Sequence, residues 1–386
     1  MNQVSSDSLH EAQSSDETTT LLDRALTDDE VEDLTEGDEA PTSVSFSTQD
    51  YPIDGLVNRL KRKSMTIPRF QIDEDDAIRL PVTTASFQRG FVWTKAQMDR
   101  FIESLLLGYP IPGIFLVKQA PDNRLLVLDG QQRLETLLRF YEGMHAGREF
   151  TLQNVGEEYR GKSYKTLDEA SKNLLDDSYM QATIVQSDGS TELNEAIYKI
   201  FERLNAGGTQ LTPHEIRVAL YAGEFVSFIE DLNSTKSWRD LFGTRSKRIR
   251  DHELVMRVIA LYHFSEEYSR PLKKFLNQTA ARLRALDGLQ ENTADLFDLA
   301  CAQIMQEVGP DAFRSAGGRQ VNAAQTEAIL VELMRAKSEG RTVTDLDARI
   351  QALKRNPEFV RATTRSTADK DAVSERLKLA AEAMSS

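Results

Sequence analysis

Apolar positions first recur with a helical period after Thr94. Met98, Phe101, Ile102, Leu105 and Leu106 fall on one helix face. Thr94 is placed as the N-cap, Gly108 supplies the stop, and Pro110 and Pro112 bracket the exit. The pattern then changes to short apolar runs, Gly113 to Val117 and Leu125 to Leu128, which predict strands. Ala120-Pro121-Asp122-Asn123 between them is turn chemistry, so the two form a hairpin. The second strand runs directly into Asp129-Gly130. A helix from Gln131 to about Tyr141 follows, with Leu134, Leu137 and Leu138 on one side. This places Asp129-Gly130-Gln131-Gln132-Arg133 on a strand–turn–helix.

A third strand is expected at Ala182 to Val185, and a helix from about Glu192 to Leu204 with Ile197, Ile200, Phe201 and Leu204 inward. It breaks at Asn205-Ala206-Gly207-Gly208. Thr212-Pro213-His214-Glu215 reads as a capping box with proline at the first helical position. From about 225 onward the periodicity is helical only, at 251–264, 292–308, 321–337 and 370–384. The expectation is an α+β chain: an acidic, disordered segment at 1–45, order from about residue 51, a domain with a small mixed sheet at 51–223, and an all-helical domain at 224–386.

Charge sharpens the first boundary. Residues 1–50 carry 14 of the 61 acidic residues and, in Arg24, one of the 47 basic ones. The acidity belongs to that segment, which is too poor in apolar residues to offset the entropy of ordering; a solubilising tail, a shield for a basic surface and a recruiting segment are all consistent with it. The remaining charges nearly cancel, which leaves room for a local basic patch such as Arg59, Lys61, Arg62, Lys63 and Arg69. No apolar run approaches the roughly 20 residues needed to span a bilayer. The N-terminus lacks the basic-then-apolar pattern of a secretory leader. The single cysteine, Cys301, excludes an internal disulfide and a Cys-x-x-Cys zinc site, and its apolar helical surroundings predict a core residue. A cytoplasmic protein with no membrane partner is expected.

Three clusters carry candidate chemistry. At Asp129-Gly130-Gln131-Gln132-Arg133 a glycine permits a tight turn, and the free N–H groups of a helix start favour an anion. Gln131 and Gln132 add amide donors, and Arg133 adds a forked cation suited to phosphate. Asp129 alone would repel phosphate, so it is assigned to Mg²⁺ or to positioning water. The competing reading makes Asp129 a helix N-cap and Arg133 a solvated side chain. The second cluster is Gln88-Arg89-Gly90-Phe91-Val92-Trp93, in which Arg89 serves a ligand or a salt bridge and Trp93 is expected to pack in the core. In the third, Phe201 to Thr212, Gly207 and Gly208 let the backbone approach a ligand closely, and Asn205 either caps or binds.

The three clusters together, with Ser104-Leu105-Leu106-Leu107-Gly108-Tyr109-Pro110-Ile111-Pro112 between the first two in chain order, closely resemble the N-terminal domain family of GmrSD-type modification-dependent restriction enzymes. The likeness runs from about Gln88 to Gly223. It continues weakly through Arg250 to Arg257, Gly318 to Asn322 and Arg365 to Thr367. The resemblance implies a ParB/sulfiredoxin-like fold whose strand–turn–helix loop binds a nucleoside triphosphate. It also implies hydrolysis that controls or powers DNA cleavage in defence against phage. By motif position Asp129, Gln131, Gln132 and Arg133 are carried over as catalytic or phosphate-binding, with Gln88 and Arg89 closing over the polyphosphate. Gly130, Asn205, Gly207 and Gly208 join the nucleotide-binding set. One departure stands out. Restriction enzymes of this kind carry a second, histidine-containing nuclease domain, but here the five histidines are His10, His145, His214, His252 and His263, without an Asp-His…Asn…His pattern. The leading expectation is therefore an NTP-binding and NTP-hydrolysing domain using Mg²⁺. A ParB-like nuclease acting on DNA, and a nucleotide-dependent switch for a partner defence protein or a second copy, are the rivals.

Overall fold

The computed structural model describes residues 44–67, 93–119, 123–187, 190–204, 212–246, 248–314 and 320–385. The expected tail at 1–45 lies almost wholly outside the described residues. Two compact units divide near residue 212, one covering Glu39–Leu211 and the other including Thr212–Ser386.

The first unit opens with strand β1 (Phe46–Pro52), helix α1 (Ile53–Lys61) and strand β2 (Met65–Thr66). Helix α2 (Lys95–Leu106) leads into the hairpin of β3 (Ile114–Gln119) and β4 (Arg124–Asp129), and helix α3 (Gln131–Glu142) follows at once. A small ribbon, β5 (Met144–His145) with β6 (Arg148–Glu149), precedes α4 (Glu169–Asp177), β7 (Tyr179–Gln186) and α5 (Thr191–Leu204). The five-stranded sheet has the order β1-β7-β3-β4-β2. β1 and β7 are antiparallel, β7 and β3 parallel, β3 and β4 antiparallel, and β4 and β2 parallel. This is the small mixed sheet expected.

Alternation along β4 divides the unit into layers. Leu125 and Val127 join a core with Leu56 and Val57 of α1, Met98 and Ile102 of α2, and Leu134, Leu137 and Phe140 of α3. Leu126 and Leu128, equally buried, take the opposite face, where α5 packs on β4. Both sides of the central hairpin are thus covered, which gives its end a rigid position.

Order begins earlier than residue 51. Phe46 to Asp50 form most of β1 although all five are exposed. Backbone pairing with β7 holds them, and such pairing leaves no apolar alternation in the sequence.

The second unit is helical throughout its described elements: α6 (Pro213–Leu220), α7 (Glu224–Asn233), α8 (Lys236–Phe242), α9 (Arg250–Phe264), α10 (Leu272–Arg282), α11 (Thr293–Glu307), α12 (Ala323–Ser338), α13 (Leu346–Arg355), α14 (Pro357–Ala362) and α15 (Lys370–Ser385). The chain is α+β, as expected. The expected boundary at 223/224 falls one helix later than the observed division. All eight residues of α6 are buried, and the helix packs against α10. Cys301 lies in the core with Trp238 and Phe297, and burial beside Asp298 pushes its thiol pKa well up. Glu327 of α12 is fully enclosed between Arg257 of α9, at 2.8 Å, and Arg376 of α15. No helix among the described residues is long and apolar enough to cross a membrane.

Candidate functional site

Gly130 sets the local geometry. Its φ of 93° and ψ of 11° lie in the left-handed region. A Cβ added there would stand 2.3 Å from Cγ2 of Ile114 and 3.0 Å from its Cβ. Only glycine fits, on grounds of both backbone and space. The same residue is the N-cap of α3 and brings no side-chain cap. The competing assignment of Asp129 as N-cap is therefore set aside. Asp129 closes β4 one residue earlier.

The hydrogen-bond ladder of α3 starts with Leu134 N–H donating to the Gly130 carbonyl at 3.0 Å. The amides of Gln131, Gln132 and Arg133 are not used by it, and the helix dipole adds positive potential at that end. Nε2 of Gln131 is buried and has no hydrogen-bond partner among the described residues. A buried donor left this way carries a desolvation cost of about 1–3 kcal/mol that a ligand acceptor would remove.

The other motif side chains are engaged. Gln132 Oε1 accepts from the Trp93 amide at 3.1 Å, and its carbonyl accepts from Thr136 Oγ1 at 2.7 Å. Arg133, 13% exposed, turns back into the fold. Its Nη1 donates to the carbonyls of Pro112 at 2.6 Å and Gly113 at 2.8 Å, and Nη2 donates to Asp129 Oδ2 at 2.6 Å. Three of its five N–H donors are thereby spent on holding the loop before β3 and the end of β4. The Asp129 carboxylate is 42% exposed, and its Oδ1 has no partner among the described residues.

The far end of α3 is also fastened. Tyr141 and Tyr164 stack at 4.2 Å and both donate to Asp176 of α4. Burial, then the Asp176 carboxylate, raises both phenol pKa values, that of Tyr164 to about 12. Anchored at both ends, α3 holds its first turn in one place.

The structure therefore brings Asp129, Gly130, Gln131, Gln132 and Arg133 together. Gln88 and Arg89, and Asn205, Gly207 and Gly208, lie outside the described residues. The second cluster touches the motif through Trp93, whose ring packs edge-on against Phe101 at 5.5 Å and covers the core, as its composition predicts. Among the described residues no three His, Cys, Asp or Glu side chains gather into a metal cage. The sequence marks Leu107 to Pro112 as a helix exit and as part of the family likeness, without a role for its backbone; in the fold Pro112 and Gly113 supply the carbonyls that Arg133 grips. Its signal was the pair of prolines around Ile111, which stiffens a segment without assigning it a partner.

Fold and site together define an α+β domain that presents a helix N-terminus on a strand–glycine–helix turn. Residues 56–222 match the family model of the GmrSD restriction endonuclease, N-terminal domain. The match gives the domain a restriction-type context. Neither a curated protein nor a solved structure matches the chain.

Proposed function

We propose that the Glu39–Leu211 unit binds a nucleoside triphosphate at the start of α3 and hydrolyses it, within a restriction-type system that defends against phage. The observation that carries this reading is the buried, unpartnered Nε2 of Gln131 beside three first-turn amides that the helix does not use. A phosphate oxygen satisfies both kinds of donor at once.

The geometry divides the roles. Gln131 is the side-chain donor to phosphate or to the attacking water. Gln132 is held by Trp93 and positions the turn. Arg133 acts chiefly as a clamp, with Nε and one hydrogen of Nη2 left for the ligand. Asp129 Oδ1 is available to Mg²⁺ or to a water. A single carboxylate fits Mg²⁺ only when phosphate oxygens and waters complete the shell, so the ion would arrive with the polyphosphate. Gln88, Arg89, Asn205, Gly207 and Gly208 complete the proposed nucleotide site. DNA, a partner defence protein and a second copy of the chain are the proposed further partners.

Titration calorimetry with each of the four ribonucleoside triphosphates, with and without Mg²⁺, and a phosphate-release assay on the same samples test the proposal. Binding with turnover is expected. Absence of binding by all four overturns it, and binding without turnover reduces the site to a switch.

A further inference from the structure

Strand β1 is one edge of the five-stranded sheet. Phe46 to Asp50 are all exposed, and the register with β7 runs from Phe46 to Pro52 without a shift. Two bonds fix the direction of its backbone groups. The Ser45 carbonyl accepts from the Gln186 amide at 3.4 Å, and the Ile53 amide donates to the Ser178 carbonyl at 2.9 Å. Both point across to the β7 side. Backbone groups alternate along an antiparallel strand, so Ser47, Gln49 and Tyr51 also face β7. Phe46, Thr48, Asp50 and Pro52 turn theirs outward, where no described residue pairs with them.

Open edges are normally blunted by a lysine, an internal proline, a bulge or a covering element. Phe46 to Tyr51 contain no lysine and no proline, and the ladder has no bulge. Among the described residues the two most exposed large apolar side chains are Phe46, at 69%, and Tyr179, at 66%. They lie at opposite ends of the β1–β7 ribbon, and Tyr179 stands across the ladder from Pro52. We propose that β1 pairs antiparallel with β1 of a second copy of the chain, about a twofold axis at Gln49. This sets Thr48 against the partner's Asp50 and Phe46 against the partner's Pro52. All of these residues turn their backbone groups outward, so the new ladder uses donors and acceptors that β7 leaves free.

Side chains choose this register. Residues directly opposed in an antiparallel pair share a face of the sheet. Phe46 therefore stands beside the partner's Pro52, with the partner's Tyr179 one strand further on the same face, and the most exposed apolar groups cover each other. Asp50, the single charge between Phe46 and Tyr51, meets the Thr48 hydroxyl and not its own copy. Moving the axis to Thr48 keeps the backbone pairing but puts the Asp50 carboxylate against the Phe46 ring. A twofold contact of this kind is self-complementary, joins the two sheets into one and removes the open edge of both. It uses none of the residues of the proposed nucleotide site, and its test reads neither binding nor turnover of nucleotide.

Sedimentation of the full chain over a concentration series reads the assembly, and a concentration-dependent dimer is expected. Thr48→Pro removes an outward amide and leaves the ladder to β7 intact, a place where an edge strand tolerates proline. It should weaken the dimer by about 5- to 150-fold, the loss of one hydrogen bond from each copy, with thermal melting near that of the unaltered chain. Phe46→Lys keeps every backbone group, places a charge in the apolar contact and should weaken the dimer too. Oxidation reads the register. At the axis the two Gln49 Cα atoms stand about 4.5 Å apart, within disulfide reach. Gln49→Cys should therefore crosslink into a covalent dimer. Thr48→Cys, diagonal to its copy at about 7–8 Å, should not. Cys301 is buried and contributes no crosslink. A chain that stays monomeric at every concentration overturns the proposal, and so does a dimer that survives both Thr48→Pro and Phe46→Lys. A crosslink through Thr48→Cys alone moves the axis and overturns the pairing.

Discussion

The start of α3 and the interior of the helical unit both bury polar groups, and they surround them differently. In the helical unit the polar groups meet chiefly one another, deep in the core. His214 and His252, both fully buried, meet at 2.8 Å between Nε2 and Nδ1. Arg217 Nη1 faces His214 Nδ1 at 2.9 Å, and its Nε donates to Asn277 at 2.8 Å. Arginine is always a donor, so His214 Nδ1 must accept; the proton then sits on Nε2 and points at His252 Nδ1. That leaves His252 protonated on Nε2, facing the Val226 carbonyl at 3.4 Å. The two rings and the Val226 carbonyl form a chain of donors and acceptors, although Nη2 of Arg217 is buried with no partner among the described residues. At α3 the accounting stays open: three amides, one buried amide nitrogen and one carboxylate oxygen await a partner at a half-exposed surface. Burial of charge is heavier in the helical unit, and single atoms such as Arg217 Nη2 and Arg376 Nε lack a partner there too. What marks the start of α3 as a binding site is that its open donors share one helix turn with a half-exposed carboxylate.

The comparison is broken most forcefully at Glu327. Glu327→Ala leaves Arg257 and Arg376 buried without their carboxylate, and removal of one partner from such a group costs about 3–5 kcal/mol. Urea titration should show the helical unit melting early while the sheet unit retains its own transition. A midpoint unmoved by the substitution would mean that the triad is solvated.

Gly130→Ala is expected to come next. The left-handed backbone alone costs a side chain about 1–2 kcal/mol, and the overlap with Ile114 adds to it. The variant should lose nucleotide binding together with part of the stability of the sheet unit, read by calorimetry and thermal melting. Unchanged binding would show that the turn is not needed at the site.

Acid separates the two regions further. Burial holds the pKa of both His214 and His252 below the ordinary value of about 6.5, and for His214 the neighbouring His252 and Arg217 add to the effect. The folded state binds fewer protons than the unfolded chain, so their contribution is complete above about pH 6.5. It is lost as pH falls below that, by at most about 1.4 kcal/mol per pH unit for each histidine. Denaturation followed from pH 8 to pH 5 should show the helical unit weakening, and the slope should shrink in His252→Gln. A flat profile would show that the pair is already protonated or hydrated.

The smallest effect on stability, and the most informative about function, is expected of Asp129→Asn. Gly130 is the cap and the Asp129–Arg133 pair is partly exposed, so folding should change by about 0–1 kcal/mol. Turnover should be lost with nucleotide affinity retained. Normal phosphate release by this variant would remove Asp129 from the chemistry.

Much of this arrangement is legible along the chain. Thr94 caps α2 as expected, and the fold adds Gln97 reaching back to the Thr94 amide to make a capping box. Thr212 and Glu215 repeat it at α6. The hairpin, the turn at Gly130 and α3 fall within a residue or two of their expected limits, and so do α5, α9, α11, α12 and α15. Each depends on residues within one or two turns of one another, so a short window of sequence contains the cause.

Contacts between residues far apart in the chain were not legible. Phe46 to Asp50 of β1 are exposed, and the strand exists because β7, about 130 residues later, offers its backbone; pairing of that kind has no side-chain code. The parallel neighbours β3 and β7 are separated in the chain by β4, α3 and α4, so no short window contains their pairing. α6 joined the helical unit because α10 covers it, although the motif it ends belongs to the sheet domain. At the site itself, the residue types were given by the sequence and their directions by the fold. Arg133 reads as a phosphate ligand in isolation. The carbonyls of Pro112 and Gly113, brought beside it by the hairpin, take its Nη1 and Asp129 takes one donor of Nη2, while Gln131 is left with a buried nitrogen to satisfy. Local spacing determines which donors stand at a helix start. Which of them remain available depends on acceptors some twenty residues away, and only the folded chain sets those distances.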